Sequence, residues 1–466
     1  MKRREFLIGS ASALATGALT GCDDYGASKM PKPLTASVGA DGKTLIPWQN
    51  WSGYRSCLPA ARAAPESLDE LASFMKAAKG TVRPVGSSHS FSELIPTDGT
   101  LLSLRNFTGV LSHDAAAMTA TVGAGTKLAD LGEPLHAIGQ ALPNMPDIDS
   151  QTLAGALATG THGTGAGMGA LHAFIESFQL VTPRGEVLEC SRRKNAEVFD
   201  AGRVSLGALG AITQYTLKNV APFLARKRSW SLPLEEFYAT FDALAAKHYS
   251  LDCYLIPQSG RAALIAIDPT TETGPPRGPN EDDQLVEMLR MGRNLLWRGA
   301  RRALLDTFLS HYAPADEIEQ SWRMFPTPRN IRFNEMEYHL PREALLPTLR
   351  KVKEVVDTKH PEVYFLIEIR IVKGDNAWLS PFYQHETSGS IAVHHGYEEY
   401  PLDYFANVEP LYQEVGGRPH WGKMNTLDAK AFAQRYPRWK DFLDVRATLD
   451  PEGKMLNLYL KKVFGL

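Results

Sequence analysis

The chain has 466 residues, well beyond the length at which one hydrophobic core usually stops growing, so at least two domains are expected. Hydrophobic residues make up 44% of it and charged residues 22%, proportions that are typical of a globular protein. The formal net charge of −2 gives no overall basic excess, so nucleic acid is not an expected partner.

The N-terminus has the features of an export signal. Residues 2–7 (KRREFL) resemble a twin-arginine motif, and the apolar stretch that follows is too short and too rich in small residues to span a membrane well. Residues 19–22 (LTGC) resemble a lipobox, which predicts processing before Cys22 and a lipid on its thiol. Asp23 and Asp24 then favour anchoring at the inner membrane, whereas cleavage elsewhere would give a soluble periplasmic protein.

The segment that follows the signal predicts a tether. Residues 23–45 are rich in Ser, Pro, Gly, Lys and Asp and poor in large apolar residues, so we expect a flexible connection. Once Cys22 is set aside, Cys57, Cys190 and Cys253 remain, which allow at most one disulfide. Their spacing does not suggest a cysteine-based metal site.

Residues 46–220 show a mixed pattern of helices and strands. A helix is predicted over 67–78, where apolar residues share one face and Ser67 can cap the N-terminus. Short strands are predicted at 81–85, 101–104 and 118–122, a helix at 128–138, and a hairpin from 178–181 and 187–190.

The pattern changes from about residue 221. Strands are predicted at 250–257 and 262–268, followed by an exposed Pro- and Gly-rich linker at 270–283. A helix is predicted over 285–312, and its arginines (Arg290, Arg293, Arg298, Arg301 and Arg302) spread over one face. That face is either a contact with an anionic membrane surface or a solvated helix face.

Two nucleotide-binding motifs nearly match and are rejected. Residues 417–423 have the spacing of a phosphate-binding P-loop, but Met424 stands where Ser or Thr is required. Residues 165–170 loosely fit a dinucleotide fingerprint, but no β-branched strand precedes them.

Two small-residue turns are better candidates for a cofactor site. Residues 83–91 (RPVGSSHSF) and 159–165 (TGTHGTG) offer Gly, Ser and Thr in tight turns. Such turns allow close backbone approach and present N–H donors, which is what a diphosphate needs. Either turn alone would more often be structural, and it is their order along the chain that carries weight.

Together with residues 418–423 (RPHWGK), these turns resemble the flavin-binding signature of the sugar-lactone and polyol oxidases of the vanillyl-alcohol-oxidase superfamily. Segments 123–126, 151–155, 207–212, 368–370, 378–381 and 449–460 also fit, and the resemblance is closest to the L-gulonolactone and D-arabinonolactone oxidases. It implies an α+β fold of two domains. A PCMH-type FAD-binding domain would span 46–220, a cap domain of mixed or antiparallel sheet 221–405, and residues 406–466 would complete the flavin site.

The resemblance also assigns roles in binding FAD. His89 would carry the flavin covalently, because an imidazole nitrogen can attack the electrophilic form of the flavin 8α carbon. The remaining predicted cofactor contacts are Arg83, Gly86, Ser87, Ser88, Ser90, Phe91, Gly125, Thr152, Gly155, Thr159, Gly160, His162, Gly163, Gly210, Ile212, His420 and Lys423.

The substrate side follows from charge and strand geometry. Glu368 and Arg370 stand at i and i+2 on an apolar strand predicted over 363–372, so both side chains point to the same face. They would hold substrate oxygens, although a buried structural salt bridge is the alternative. Lys423 would stabilise negative charge on the reduced flavin, and His394 matches a histidine of the alditol oxidases.

The predicted reaction is oxidation of a secondary CH–OH group of a sugar 1,4-lactone by hydride transfer to FAD, with O2 or a respiratory carrier as acceptor. An alditol or polyol oxidase on the same fold is the alternative. Residues 144–147 and Thr152 depart from the usual pattern of the family, so substrate choice stays open.

Two further alternatives belong to other classes. One is a metal-dependent protein using the cluster His385, Glu386, His394, His395, Glu398 and Glu399, although no pair there has a recognised ligand spacing. The other is an exported binding protein without catalysis, which would have no need for His89, Glu368, Arg370 and Lys423 together.

Overall fold

The computed structural model describes residues 25–39, 42–279, 282–293, 298–311 and 314–466. The predicted twin-arginine motif, the lipobox and Cys22 lie outside the described residues. Among the helices of the described ranges, none is both long enough and apolar enough to cross a membrane.

The first half of the chain contains the following elements in order. The strands are β1 (Ser37–Val38), β2 (Thr44–Leu45), β3 (Trp48–Gln49), β4 (Ser56–Cys57), β5 (Ala61–Ala63), β6 (Val82–Val85), β7 (Thr100–Ser103), β8 (Val110–Asp114), β9 (Thr119–Gly123), β10 (Gly165–Gly169), β11 (Ile175–Val181), β12 (Val187–Ser191) and β13 (Ala211–Lys218). The α-helices are α1 (Leu68–Ala77), α2 (Gly132–Ala137), α3 (Leu153–Thr159) and α4 (Ala196–Gly202).

The second half is richer in long elements. Its strands are β14 (Leu224–Pro233), β15 (Ser250–Leu255), β16 (Arg261–Thr270), β17 (Asp316–Gln320), β18 (Phe333–Pro341), β19 (Ile367–Lys373), β20 (Thr387–Gly396) and β21 (Arg418–Pro419). Its α-helices are α5 (Leu234–Lys247), α6 (Asp282–Gly292), α7 (Arg298–Ser310), α8 (Ser321–Met324), α9 (Leu345–Lys359), α10 (Leu402–Glu414), α11 (Ala429–Arg435), α12 (Trp439–Leu449) and α13 (Leu458–Phe464).

Two sheets form the N-terminal half. A parallel three-stranded sheet has the order β5-β7-β6, and an antiparallel five-stranded sheet has the order β12-β11-β13-β9-β8. The predicted hairpin is confirmed as β11 and β12, which pair from Ser177↔Ser191 to Val181↔Val187. Short parallel strands beside an antiparallel sheet leave the strand ends and turns between them free to surround a ligand.

The C-terminal half is built on one large sheet, of order β17-β14-β16-β15-β19-β20-β18-β21. It takes strands from outside residues 221–405: β10 pairs in parallel with β19, and β21 pairs with β18. Buried side chains of both halves belong to one continuous hydrophobic cluster, so the two halves pack directly against each other.

The predicted helix over 67–78 is confirmed as α1, and the Ser67 side chain accepts a hydrogen bond from the backbone N–H of Glu70. Two other helix predictions need correction. Residues 128–138 split into a 3-10 turn, Leu128–Asp130, and the short helix α2. Within the predicted helix over 285–312, the described residues form α6, which ends at Gly292, and α7, which begins at Arg298.

The predicted tether and basic face also differ from expectation. The Tyr25 ring lies 4.0 Å from the Arg293 guanidinium, and Lys29 pairs with Asp403 at 2.5 Å. Residues 25–30, which follow the predicted export signal, therefore pack on the C-terminal half. Arg301 is buried and donates to backbone carbonyls. The predicted basic face is therefore partly internal, and residues 25–30 are not a free tether.

Arg83 ties distant parts of the N-terminal half to the C-terminus. Its buried guanidinium donates to the carbonyl oxygens of Leu94 (2.8 Å), Leu206 (2.8 Å), Gly207 (2.9 Å) and Met455 (2.5 Å). A planar group with five N–H donors suits this task, because it can bond several buried carbonyls at once; of the four, the Leu94 carbonyl also accepts from Asn457 Nδ2.

We predict that Arg83→Leu lowers the free energy of unfolding by roughly 3 kcal/mol or more, because it leaves several buried carbonyls unpaired. Urea unfolding followed by fluorescence measures the change. The control is Arg350→Leu, which removes an exposed ion pair with Glu235 and should cost less than about 1 kcal/mol. Equal losses in the two variants would contradict the role given to Arg83.

Candidate active site

Two adjoining cavities lie where the halves of the molecule meet. The larger, of about 310 Å³, is surrounded by turns of the N-terminal half. The smaller, of about 100 Å³, opens against the large sheet. Both are lined by Gln151, Thr161, His420 and Lys423, so a ligand that fills the larger cavity would meet a second ligand at these residues.

The larger cavity collects most of the predicted cofactor residues. Those that line it are Arg83, Gly86, Ser87, Ser88, His89, Ser90, Gly125, Thr152, Gly155, Thr159, Gly210, Ile212, His420 and Lys423. These residues come from stretches that are far apart in the chain, and the structure brings them together around one cavity as the sequence motifs imply.

The turn at residues 86–90 is shaped for close approach of a ligand. A Cβ on Gly86 would lie 2.2 Å from Thr152 Oγ1, and Ser88 has a φ of +62°, in the left-handed region. The buried Ser87 Oγ has no hydrogen-bond partner among the described residues. An unpaired hydroxyl in a backbone turn fits a phosphate-bearing cofactor, whose oxygens would accept a hydrogen bond from it.

Four predicted cofactor residues do not line the larger cavity, and their role as cofactor contacts stays a prediction. Gly160, at φ +81°, ends α3, and a Cβ on Gly163 would meet the Met145 carbonyl oxygen at 2.5 Å. Phe91 is buried behind the turn, and His162 lines the smaller cavity. These residues shape the surroundings of the larger cavity but do not line it.

His162 belongs to a buried polar group beneath the smaller cavity. Its Nδ1–H donates to the Gly163 carbonyl at 2.7 Å, and its Nε2 lies 3.0 Å from Glu337 Oε1. The neighbouring His339 has a buried Nε2 with no partner among the described residues. The contacts of His162 with a carboxylate and a carbonyl indicate a structural role in fixing this wall.

His89 is a partly buried, neutral nucleophile candidate. Its ring stacks on Trp51 at a centroid distance of 4.5 Å and lines the larger cavity. Burial, reinforced by the positive charge of Lys423, lowers the pKa of His89 to about 4. The imidazole is therefore uncharged at neutral pH and keeps a lone pair for bonding.

Neighbouring strands of the large sheet supply the charged wall of the smaller cavity. Arg370 Nη2 donates to Glu368 Oε1 at 2.5 Å, and Arg370 Nε donates to Asp252 Oδ1 at 2.9 Å. This confirms that Glu368 and Arg370 share a face of β19, and both line the cavity. The predicted pair is thus a pocket-lining ion pair that extends to a third residue.

Lys423 and His394 share one carboxylate. Lys423 forms an ion pair with Glu335, and His394 Nε2 lies 3.5 Å from the other oxygen of that carboxylate. Burial alone would raise the pKa of Glu335, but Lys423 and His394 hold it at about 2. Burial likewise opposes the charged form of His394, yet the Glu335 carboxylate raises the pKa of His394 above 6.5.

The segment 418–424 holds this group in place. Phe91 N–H donates to the Gly422 carbonyl at 2.7 Å, and Met424 N–H donates to the Glu335 carbonyl at 3.0 Å. One short stretch of backbone is therefore bonded both to the His89 turn and to the large sheet. Lys423 lies between the two bonds, at the shared wall of the cavities.

Several residues of the smaller cavity were not predicted from the sequence. Glu335 and Glu337 alternate on an apolar strand just as Glu368 and Arg370 do, and that signal could have identified them. Asp147 and Arg329, paired at 2.6 Å, line the outer part of the smaller cavity. Their pairing joins two loops and has no local pattern in the sequence.

Possible metal ligands cluster differently from the sequence-based alternative. Two groups have donor atoms within 4.8 Å of one another: His162 with Glu337 and His339, and Glu335 with Glu368 and His394. Of the predicted cluster only His394 takes part. In the second group Lys423 and Arg370 already neutralise the carboxylates, and their positive charges would oppose a metal ion.

Comparisons with known proteins define the class of the fold and site. An FAD binding domain family matches residues 59–191, which contain the His89 turn and the turn at 159–165. A second family, described as D-arabinono-1,4-lactone oxidase, matches residues 215–463. The chain belongs to this D-arabinono-1,4-lactone oxidase family of FAD-dependent oxidoreductases.

Relatives match over nearly the whole chain. L-gulono-1,4-lactone dehydrogenase from Mycobacterium tuberculosis is 34% identical over 428 residues, which cover 90% of this chain and 99% of the relative. L-gulonolactone oxidase from Bos taurus is 30% identical and covers 90% and 98%. Alditol oxidase from a Streptomyces species is 30% identical and covers 88% and 97%.

The fold is also that of a known flavoenzyme class. A solved structure of cholesterol oxidase from Brevibacterium sterolicum superposes with a TM-score of 0.72 at 14% identity, covering 93% of this chain and 99% of that one. The predicted α+β, PCMH-type fold is thereby confirmed.

Proposed function

We propose that the protein oxidises a secondary CH–OH group of a sugar 1,4-lactone of the D-arabinono or L-gulono type, with FAD as the oxidant. The observation that carries this proposal is that Glu335, His394, Glu368 and Arg370 line the smaller cavity together with Lys423, which also lines the larger one. The names of the relatives indicate the lactone, and an alditol is the second candidate. FAD bound in the larger cavity would accept the hydride from the carbinol carbon.

The charges of the smaller cavity favour a neutral, polyhydroxylated substrate. Each pocket cation is already paired: Arg329 with Asp147, Arg370 with Glu368 and Lys423 with Glu335. A substrate carboxylate would find no uncompensated positive charge, whereas hydroxyl groups can donate to the carboxylates and accept from the cations. A lactone or a polyol meets this condition, and an open-chain sugar acid does not.

The residues of this pocket divide the work of the reaction. Arg370 and Glu368 hold the hydroxyl and ring oxygens of the substrate. Lys423 places a positive charge at the wall shared with the cofactor cavity, where negative charge develops as the cofactor is reduced. His394, whose imidazole lines this cavity beside Glu335, accepts the hydroxyl proton.

We predict that kcat/KM for L-gulono-1,4-lactone rises with pH, with an inflection above pH 6.5. A protonated His394 cannot accept a proton, and its pKa is raised above 6.5 by the Glu335 carboxylate, which outweighs burial. Activity is therefore low below that pKa and full above it. Initial rates across the pH range measure the profile.

The variant His394→Gln should lose most of the activity together with this inflection. The control is His395→Gln, because His395 is the next residue along β20, faces away from the pocket and interacts with Glu399. An unchanged inflection in His394→Gln would show that another group is the base.

We also propose that FAD is attached covalently to His89. The support is the neutral, partly buried imidazole lining the cofactor cavity and its stacking on Trp51, which limits the ring to one orientation. Attachment at a fixed ring nitrogen keeps the cofactor in place through every turnover.

The expected result is that acid precipitation of the purified protein leaves the yellow colour in the pellet. His89→Ala should release its flavin into the supernatant, while His113→Ala, which changes an exposed histidine of the same half, should not. Release of all flavin from the unchanged protein would rule out the covalent bond.

The last part of the proposal concerns location and electron acceptor. The signal-like residues 2–22 support export by the twin-arginine route and anchoring of the periplasmic protein to the inner membrane through Cys22. The relatives include oxidases and a dehydrogenase, so either O2 or a respiratory carrier would reoxidise the cofactor.

We predict that mass spectrometry of the mature N-terminus, from cells expressing the full chain, finds a diacylglycerol on Cys22. Cys22→Ser should shift the protein from the membrane to the soluble periplasmic fraction without loss of flavin, because the described residues that line the two cavities all lie from Arg83 onward. A mature N-terminus other than Cys22 would exclude the lipid anchor.

A further inference from the structure

We propose that Glu335 is a positioning residue that fixes the ammonium group of Lys423 at the wall between the two cavities and offsets part of its positive charge beside the cofactor. This inference rests on the proposed function, because it concerns the protein with FAD bound. Glu335 would thereby limit how far the positive charge of Lys423 raises the reduction potential of the bound FAD.

The geometry places one carboxylate between two cations. Glu335 lies on β18 directly opposite His394 on β20, and its side chain is only 5% exposed. One of its oxygens pairs with Lys423 and the other faces His394 Nε2 at 3.5 Å. A lysine side chain has many rotamers, so a fixed carboxylate is needed to hold its ammonium in one position.

No other carboxylate of the described ranges forms an ion pair with Lys423. Glu368 pairs with Arg370, and Glu337 pairs with His162. Glu335 is therefore the carboxylate in direct contact with Lys423, and the Glu368 carboxylate and the His394 ring lie within 4.8 Å of Glu335. Because the pair is buried, water screens it little, and a change of one unit of charge is felt across the cavity wall.

The consequence follows from where Lys423 lies. Lys423 lines both cavities, so its charge acts on whatever occupies them. A reduced flavin carries negative charge around N1, and so does a flavin that has added sulfite at N5. Removing the Glu335 charge leaves Lys423 uncompensated and should stabilise both forms relative to oxidised flavin.

The test compares Glu335→Gln with Glu368→Gln in the holoenzyme. Both changes neutralise a buried pocket carboxylate on adjoining parts of the same sheet, but only Glu335 contacts Lys423. The readouts are the midpoint potential of the bound flavin and the Kd of its sulfite adduct, and neither readout requires a sugar substrate.

We expect Glu335→Gln to raise the midpoint potential and to lower the sulfite Kd by roughly tenfold, since one nearby charge is removed in a weakly screened site. Glu368→Gln should change both much less. Glu335→Asp, which withdraws the carboxylate by one methylene, should shift both in the same direction by a smaller amount. This second variant also decides the matter if Glu335→Gln does not retain its cofactor.

Three outcomes would overturn the inference. They are an unchanged or lowered potential in the Glu335 variants, an unchanged sulfite Kd, and equal shifts in Glu335→Gln and Glu368→Gln. The failure of the proposed function would look different, because the unchanged protein would then hold no flavin or hold a flavin that no lactone or polyol reduces.

Discussion

The active site depends on the backbone of residues 418–424, which is hydrogen-bonded to both halves of the molecule. On one side Gly422 accepts from Phe91, next to His89. On the other, His420 and Met424 donate to the carbonyls of Glu337 and Glu335 on the large sheet. A lysine in this segment is therefore held at one place relative to both cavities. Within this segment Trp421 is buried and its ring stacks on Phe432, which fixes residues 418–424 to the hydrophobic core.

Charge pairing sets the second constraint. Each of the three pocket cations, Arg329, Arg370 and Lys423, pairs with a pocket carboxylate, and each pair lowers the cost of burying both partners. Such a site recognises hydroxyl groups and does not attract anions. The charges of the pocket are also coupled to one another. The Glu335 carboxylate raises the pKa of His394, and the Lys423 ammonium lowers the pKa of Glu335.

The sequence predicted the local parts of the site and missed its long-range pairs. The His89 turn, Lys423 and the Glu368–Arg370 pair were predictable because each depends on neighbours in sequence or on strand alternation. Glu335 beside Lys423, and Asp147 beside Arg329, depend on the register of distant strands and on loop packing, which no local pattern encodes. His162 was predicted as a cofactor contact, and its side chain lines the smaller cavity, whereas Thr159 of the same turn lines the larger one.

The fold shows the same division. Capped and strongly periodic elements such as α1 were predicted correctly. The predicted basic helix appears in the described residues as two helices, α6 ending at Gly292 and α7 beginning at Arg298. The family resemblance supplied the two-domain fold. It did not anticipate that β10 and β21 would extend the sheet of the C-terminal half, a pairing set by tertiary contacts.

The most direct test of the account is an anaerobic titration of the purified, flavin-loaded protein with L-gulono-1,4-lactone and D-arabinono-1,4-lactone, followed by absorption. The account predicts that at least one lactone bleaches the yellow colour of the oxidised flavin in stoichiometric amounts, and that the matching open-chain sugar acid does not. If dithionite bleaches the flavin while both lactones leave it oxidised, the protein does not oxidise these lactones and the central claim is wrong.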